Sequence, residues 1–431
     1  MDQVIQQAVS KRQKPVDVIV VGLGFMGLGF ISGVSHIDGM RIVAVISRRP
    51  EEAVKQLKKK GLKSRVVSTI DQIARNIQKD IISVSDNLEL IHEIPADAVL
   101  EVTGTVAYGV EASLAALKGK KHLITMNPEL QATVGTELKK LADEVGVVIS
   151  DVAGDQPGSL SNLIARAKLM GFNILIAGNM KRFLNRYATQ EEMAAWAKDK
   201  GLAVRQTTSF TDGTKQSIEM NLVANYFGLD ILKTGMEGPQ VDEVHGSIIA
   251  FDLEKVPSGG VVDYVIGRTL FPGVFLIATH PDPNQKQYLR YLGLGEGPYY
   301  VLFEPYHLCH LEVPSTIFKA VLFNMETINN GLKPVVRTAS FAKRNLKKGE
   351  TLDGIGGNCV YGNIEKYEKA ADLLPVGLSE GAVLKRNIKK DQPIKISDVA
   401  LPENAATRLL GLVKDKKKVV SDIHDYLFLT K

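Results

Sequence analysis

Residues 16–30, VDVIVVGLGFMGLGF, begin as an apolar run broken only by Asp17, pass through closely spaced glycines, and stay apolar beyond them. That order predicts a strand covered on both faces, a tight turn, and a helix. A second apolar run, RIVAVIS (41–47), closes a βαβ unit. Further runs follow at ADAVLEVTG (96–104), KHLITMN (121–127) and GVVISDV (146–152), with helical periodicity between them, and predict more parallel strands. After Asp151 the pattern changes. Residues 151–171 predict a loop entering a helix, and FNILIAGNMKRF (172–183) predicts a strand. SFTDGTKQSIEMNLVANYFG (209–228) predicts a turn and one helix, with Asp212 as cap and Gly213 relaxing the turn. On that helix Lys215 and Glu219 stand four apart, the spacing of a surface ion pair, and Asn221 and Asn225 offer an amide face suited to a polar cleft. Residues 279–317 are polar, loop-rich and rich in histidine. Lys333-Pro334 marks a boundary, after which AKRNLKKGETL (342–352) and LKRNIKKDQPI (384–394) are near-duplicates. The stretch 401–431, with KDKKK at 414–418, predicts a helical or loose tail whose charge run is solvated. The pattern is that of an α/β protein in three parts: 1–152, 153–333 and 334–431.

The spacing Gly22-x-Gly24-x-x-Gly27 is a dinucleotide fingerprint, and here it has the strand before it and the helix after it that the fold requires. Gly22 permits the turn, Gly24 lets a pyrophosphate approach the backbone, and Gly27 lets helix and strand pack closely. Phe25 and Met26 lie on the same turn, where the helix N-terminus offers free N–H groups to phosphate. The first part is therefore expected to be a Rossmann domain. About twenty residues past such a motif an acidic side chain normally holds the ribose 2′-hydroxyl. Here Ser47, Arg48 and Arg49 occupy that place and no Asp or Glu occurs at 46–50. A carboxylate would repel a 2′-phosphate, whereas guanidinium pairs with it bidentately. The expected cofactor is NADP(H); a solvated loop after a strand is the plainer alternative for the two arginines. Thr103, Gly104, Asn127 and Glu129, near the carboxyl ends of later strands, are candidates for the nicotinamide side, and each also suits a turn.

Composition adds few constraints. The chain has 431 residues, 45% apolar and 23% charged, which is ordinary for a globular protein with sizeable cores. A net charge of +5 favours anionic small ligands over a nucleic-acid groove. Two cysteines, Cys309 and Cys359, make no disulfide framework and point to a reducing, cytoplasmic setting. Residues 18–34 are uncharged, yet hold five glycines and are too short for a comfortable span, so no membrane association is expected. His307, Cys309 and His310 cluster in sequence, but their spacing fits no closed zinc site.

Gly22–Gly27, KHLITMN, GDQPG, GNMKRFLN and FTDGTK together resemble the homoserine dehydrogenase-like oxidoreductases. Within them the chain is most similar to a branch with an added C-terminal SAF domain, which includes the deoxyxylulose-phosphate reductoisomerase-like enzymes. The resemblance implies an α+β catalytic part, a small β-clip (SAF-like) tail domain, and NADPH-dependent chemistry on a small carbonyl or polyol. In true homoserine dehydrogenases a lysine follows the asparagine of the strand-end motif; here Pro128 and Glu129 follow Asn127. Lys181, Lys215 and Asp212 look like the family's catalytic or substrate-orienting set. An ammonium aimed at the carbonyl oxygen would stabilise the charge that hydride delivery builds there and supply the proton. Asn179, Arg182, Arg290 and His307 are candidates for holding the substrate, and Arg186 is a further cation for a phosphorylated one. Rearrangement of an α-hydroxyketone wants a divalent metal, Mg²⁺ or Mn²⁺, and Asp155, Asp212 and Glu219 are carboxylates that could bind it. The expected partners are a small phosphorylated or polyhydroxylated substrate and a second copy of the chain. A related dehydrogenase or oxidoisomerase on another polyol, hydroxy acid or sugar phosphate stays open, as does a non-catalytic NADP-binding regulator.

Overall fold

The computed structural model describes residues 2–412 and 423–427, so the KDKKK run at 414–418 lies outside the described residues. The chain forms two compact units. The first comprises Met1–Asp155, Leu308–Leu332 and Glu403–Lys431; the second comprises Gln156–His307 and Lys333–Pro402. No helix among the described residues is long and apolar enough to cross a membrane.

The first unit is built on a seven-stranded sheet: β1 (Val16–Val21), β2 (Met40–Ile46), β3 (Ser64–Val66), β4 (Ile82–Ser85), β5 (Ala98–Glu101), β6 (His122–Thr125) and β7 (Ile149–Asp151). Their order across the sheet is β3-β4-β2-β1-β5-β6-β7, and every pair is parallel. This is the expected Rossmann-type α/β architecture, with the strand order reversing between β1 and β5. In such sheets ligands bind outside the carboxyl ends of the strands at that reversal. β1 is apolar on both faces because both are covered: Val16, Val18, Ile19, Val20 and Val21 are fully buried. The cover on one side is partly remote in sequence. Residues 309–317, read from sequence as the end of a loop-rich stretch, instead open the helix Cys309–Phe323. Its Val313, Ile317 and Phe318 join the core of Phe30, Ile31 and the β1 valines. Pro314 inside that helix disguised its apolar periodicity.

The second unit holds a four-stranded sheet of β8 (Asn173–Lys181), β9 (Val261–Ile266), β10 (Val274–Thr279) and β11 (Tyr299–Glu304), in the order β11-β10-β8-β9. β8 and β9 are parallel; the other pairs are antiparallel. The turn and helix expected over 209–228 are present, with Gly213 at φ +84° before the helix Thr214–Phe227; residues 209–211 are the end of a further helix, Val204–Thr211, that the sequence did not mark. The N-cap of Thr214–Phe227 is Gly213 rather than Asp212, which ends Val204–Thr211; Asp212 Oδ1 nevertheless accepts the Thr214 N–H at 2.8 Å. The amide face serves a different purpose from the cleft wall expected. Asn225 Oδ1 accepts the Val335 and Val336 N–H groups, and Asn221 Oδ1 accepts the Thr338 hydroxyl, so this face fixes the incoming C-terminal stretch.

That stretch is β-rich, with β12 (Val336–Ala342) antiparallel to β13 (Val360–Lys366). The near-duplicate segments meet each other. Leu346 and Ile388 exchange both backbone hydrogen bonds, at 2.8 and 3.0 Å. Asn345 Oδ1 accepts the Lys390 N–H, and the matching Asn387 Oδ1 accepts the Lys348 N–H. The repeat in sequence is thus a reciprocal pairing in space.

Candidate active site

In the first unit the glycine loop lies at the carboxyl end of β1, where the strand order reverses. Gly22 has φ +102°, and a Cβ there would lie 3.0 Å from the Val102 carbonyl oxygen. A Cβ on Gly27 would stand 2.5 Å from the Gly22 oxygen, which no side chain tolerates. A Cβ on Gly24 would meet nothing, which leaves open space on the side from which a phosphate approaches. Gly24 is the N-cap of the helix Phe25–Val34 and brings no side-chain cap, so first-turn N–H groups stay available to an anion. Phe25 is exposed and Met26 half-buried at that turn.

Beyond β2, Ser47 Oγ accepts the Arg49 N–H at 3.3 Å, and both arginines are exposed. The Arg48 guanidinium lies 5.6 Å from the centre of the Tyr108 ring. Tyr108 gave no signal in sequence; its hydroxyl is buried without a hydrogen-bond partner among the described residues. An arginine beside an aromatic face is a suitable flank for a purine ring. These features fit a dinucleotide.

Glu101 at the end of β5 was also passed over in sequence, although a carboxylate ending an apolar run is its own signal. It is fully buried. Its Oε1 accepts the Thr103 N–H at 2.8 Å and the Thr103 hydroxyl, while Oε2 has no partner among the described residues. Burial pushes its carboxyl up to about 7, against the pull of the Thr103 hydrogen bonds. Gly104 has φ +67°. Asn127 is fully buried, caps the helix Pro128–Val145 and donates to the Thr105 carbonyl at 3.1 Å; Glu129 is half-buried in that helix's first turn. Thr103, Gly104 and Asn127 are thus tied into one loop cluster around Glu101.

The raised Glu101 gives a prediction. The folded protein keeps a proton that the unfolded chain gives up near 4.5, the ordinary value for this carboxyl, so stability is lost as pH rises from there to about 7. Glu101→Gln is expected to flatten that loss and to be the more stable protein above about pH 7, by roughly 1–3 kcal/mol. Urea unfolding of both proteins at about pH 5 and about pH 8 checks this; equal slopes in the two proteins would refute it.

In the second unit the chemistry gathers at the carboxyl end of β8. Lys181 Nζ donates to Gln156 Oε1 at 2.7 Å and stands 3.3 Å from Glu219 Oε2. Asn179, fully buried, donates to the same Gln156 and Glu219 oxygens at 3.1 and 2.8 Å, and to Gln216 Oε1 at 3.4 Å. Gln156 in turn donates to the Gly273 carbonyl at 3.0 Å. Two atoms of this network, Asn179 Oδ1 and Gln216 Nε2, are buried with no partner among the described residues. An unpaired acceptor and an unpaired donor at one site are what a ligand hydroxyl would satisfy. Lys181 keeps 20% of its side-chain surface exposed, against 3% for Glu219. The ammonium is therefore the reachable member of the pair.

The other expected residues are placed as follows. Asp212 is buried and forms an ion pair with Lys343 at 2.8 Å; burial raises its carboxyl despite that partner. Lys215 lies 5.9 Å from the centre of the Phe210 ring. Arg182 Nε donates to the Leu270 carbonyl at 2.7 Å. Arg290 pairs with Glu296 at 2.9 Å with about two thirds of both side chains exposed. His307 is half-buried at the end of Gln156–His307. His310 packs on the Phe25–Val34 helix, where a Cβ on Gly29 would touch its ring at 3.0 Å. Cys309 Sγ lies 3.9 Å from Asp155 Oδ1. Of the three carboxylates considered for a divalent ion, Glu219 is held by Lys181 and Asp212 by Lys343. Neither of these two fits an Mg²⁺ or Mn²⁺ site as it stands.

Residues 154–313 match the family profile described as Oxidoreductase DRL, catalytic domain. Homoserine dehydrogenase from Neisseria gonorrhoeae is 30% identical over 147 residues, 33% of this chain and 31% of that protein. Homoserine dehydrogenase from Lactococcus lactis is 21% identical over 315 residues, 66% of this chain and 69% of that protein. The chain thus spans under a third of the first relative's length and about two thirds of the second's. Among solved structures, scyllo-inositol dehydrogenase from Lactobacillus casei aligns with TM-score 0.43 at 12% identity, covering 73% of this chain and 90% of that one. The 1-deoxy-D-xylulose 5-phosphate reductoisomerase of Zymomonas mobilis aligns with TM-score 0.38 at 12% identity, covering 72% and 82%. The chain carries an oxidoreductase catalytic domain match and a Rossmann-type sheet.

Proposed function

We propose that this protein is an NADPH-dependent oxidoreductase that reduces the carbonyl of a small phosphorylated or polyhydroxylated substrate, after the manner of deoxyxylulose-phosphate reductoisomerase-like enzymes. The observation that carries this reading is the Lys181 ammonium, part-exposed and held between Gln156 and Glu219. Bound NADPH supplies hydride to a carbonyl carbon. As the carbonyl oxygen becomes an alkoxide, Lys181 Nζ stabilises the growing charge and gives up a proton to it. Glu219, accepting from Lys181, orients the ammonium before the reaction. Asn179 holds Glu219 and Gln156 in place, and its unpaired Oδ1 accepts a substrate hydroxyl. No step is assigned to a metal. The unpaired Asn179 and Gln216 atoms favour a second reading, a dehydrogenase acting on another polyol, over a hydroxyl-poor substrate.

The test is NADPH oxidation followed by absorbance, with deoxyxylulose 5-phosphate, with and without Mg²⁺ or Mn²⁺, and with NADH in parallel. Metal-dependent consumption of NADPH supports the first reading. NADPH binding without consumption moves the function to a polyol or another sugar phosphate. The cofactor choice has its own prediction. Arg48→Ala with Arg49→Ala is expected to weaken NADPH binding by about 1–3 kcal/mol, the range for hydrogen bonds to a charged group, and NADH binding much less. Equal losses in fluorescence titrations with the two cofactors would show that these arginines do not read a 2′-phosphate.

A further inference from the structure

The second unit contains a cavity of about 290 Å³ beside the Lys181 network. Its walls come from the 184–187 loop, the start of the Thr214–Phe227 helix, Tyr264 on β9, and Tyr361 to Asn363 on β13. Gln216 belongs to both places. Its Oε1 is 3.4 Å from Asn179 Nδ2, which also bonds the two partners of Lys181, and its side chain lines the cavity.

Three observations give this cavity a sign. Gln216 is 1% exposed, yet its Nε2 has no hydrogen-bond partner among the described residues. A buried amide donor left unpaired is costly, and an acceptor oxygen in the cavity would relieve it. Second, Gly213, the N-cap of the 14-residue helix Thr214–Phe227, is on the cavity wall; Asp212 takes the Thr214 N–H, and the rest of the first turn carries partial positive charge. Third, the Arg186 guanidinium lies 5.2 Å from the Tyr361 ring centre, and its charge acts on the hydroxyls of Tyr187, Tyr264 and Tyr361. Arg186 has no carboxylate partner among the described residues. Of the acidic groups nearby, Asp212 is paired with Lys343, while the oxygens of Asp263 accept three backbone N–H groups and those of Asp391 accept the Tyr187 and Tyr361 hydroxyls. Arg186 is the cation that lines the cavity.

We propose that this cavity seats an oxyanion, the phosphoryl or carboxylate end of the substrate, with Arg186 and Gln216 Nε2 as its donors. The inference rests on the reading of Lys181 as the group that meets the carbonyl. Gln216 then stands at the joint between the reacting end of the substrate and its charged end. The C-terminal β-rich stretch also gains a part in the site, because Tyr361 and Asn363 wall the cavity.

The experiment measures binding of inorganic phosphate, and separately of acetate, to the full chain by thermal denaturation at matched ionic strength. It uses the Arg48→Ala/Arg49→Ala background, so that anions at the glycine loop contribute least. Phosphate or acetate is expected to raise the melting temperature. Arg186→Met is expected to weaken that effect at least about tenfold in apparent Kd, as loss of a charged hydrogen-bond donor would. Arg186 is exposed, so this variant folds normally, and its melting temperature without anion verifies that. Stabilisation by phosphate alone names a phosphoryl group; stabilisation by acetate as well names any oxyanion. No anion effect, or one that Arg186→Met leaves intact, overturns the proposal. Arg186-dependent binding without turnover of any carbonyl substrate leaves the cavity assignment standing and removes the reading of the reaction. Turnover with KM unchanged in Arg186→Met does the reverse.

Discussion

Lys181→Met is expected to lower turnover by about 10²–10⁴-fold while cofactor affinity stays at the wild-type value. Methionine matches the length of the lysine stem but brings no proton and no charge, so the loss isolates the ammonium. Lys181 sits at the end of β8 in the second unit, and the glycine loop belongs to the first. A fluorescence titration with NADPH beside a turnover assay separates the two effects. If turnover survives, another group protonates the product oxygen and the assignment of Lys181 falls. If turnover is absent in the wild type with every carbonyl tried, a cofactor-binding regulator becomes the better account.

Lys343→Met is expected to have the largest effect on stability, a loss of about 3–5 kcal/mol, the range for breaking a buried ion pair by removing one partner. Both side chains of the pair are almost wholly buried, at 3% exposure for Lys343 and 0% for Asp212. Lys343 Nζ also donates to the Ala188 and Gly357 carbonyls at 2.8 and 2.7 Å, so its removal strands three acceptors. The pH dependence has a definite sign. Burial already holds the Asp212 carboxyl above its ordinary value, and without Lys343 it rises further. The deficit is therefore greatest at high pH and shrinks as falling pH protonates Asp212. The double variant Lys343→Met/Asp212→Asn is expected to regain much of the loss. Urea unfolding of the three proteins across pH checks this; a deficit that does not change with pH would mean that lost packing, not the stranded carboxylate, is responsible.

The parts of this protein that were legible in its sequence are those whose cause is local. The glycine turn follows from spacing alone, and β1, β2, β5, β6 and β7 follow from apolar runs. β3 (SRV) and β4 (ISVS) interrupt their apolar residues with serine and arginine instead of forming an apolar run, and the sequence did not mark them. In the second unit Lys181 and Asn179 stand out at a strand end, but what makes them a site does not. Gln156 and Glu219 reach them from two different helices, and only the fold brings those together. Asp212 reads as a cap from its position before Gly213; the cap position is Gly213 itself, and Asp212 holds the Thr214 N–H just beyond it. Its lysine lies far along the chain, beyond the reach of any spacing rule. The near-duplicate segments were visible as a repeat, while their pairing with each other depends on both being present.

The interleaving of the two units bears on how the protein is made. A ribosome completes all seven strands of the first sheet well before it reaches Val313, Ile317 and Phe318, which cover part of that sheet's apolar core. It then returns to the second unit for β12 and β13, and only afterwards to the short helix Ala405–Leu409, again in the first. Neither unit closes before most of the chain has emerged, so neither is a module that can fold first and wait for the other. Apolar surface exposed in the interval is the kind that chaperones shield. The fragments that look like natural domains in the sequence are, for the same reason, incomplete when cut out alone.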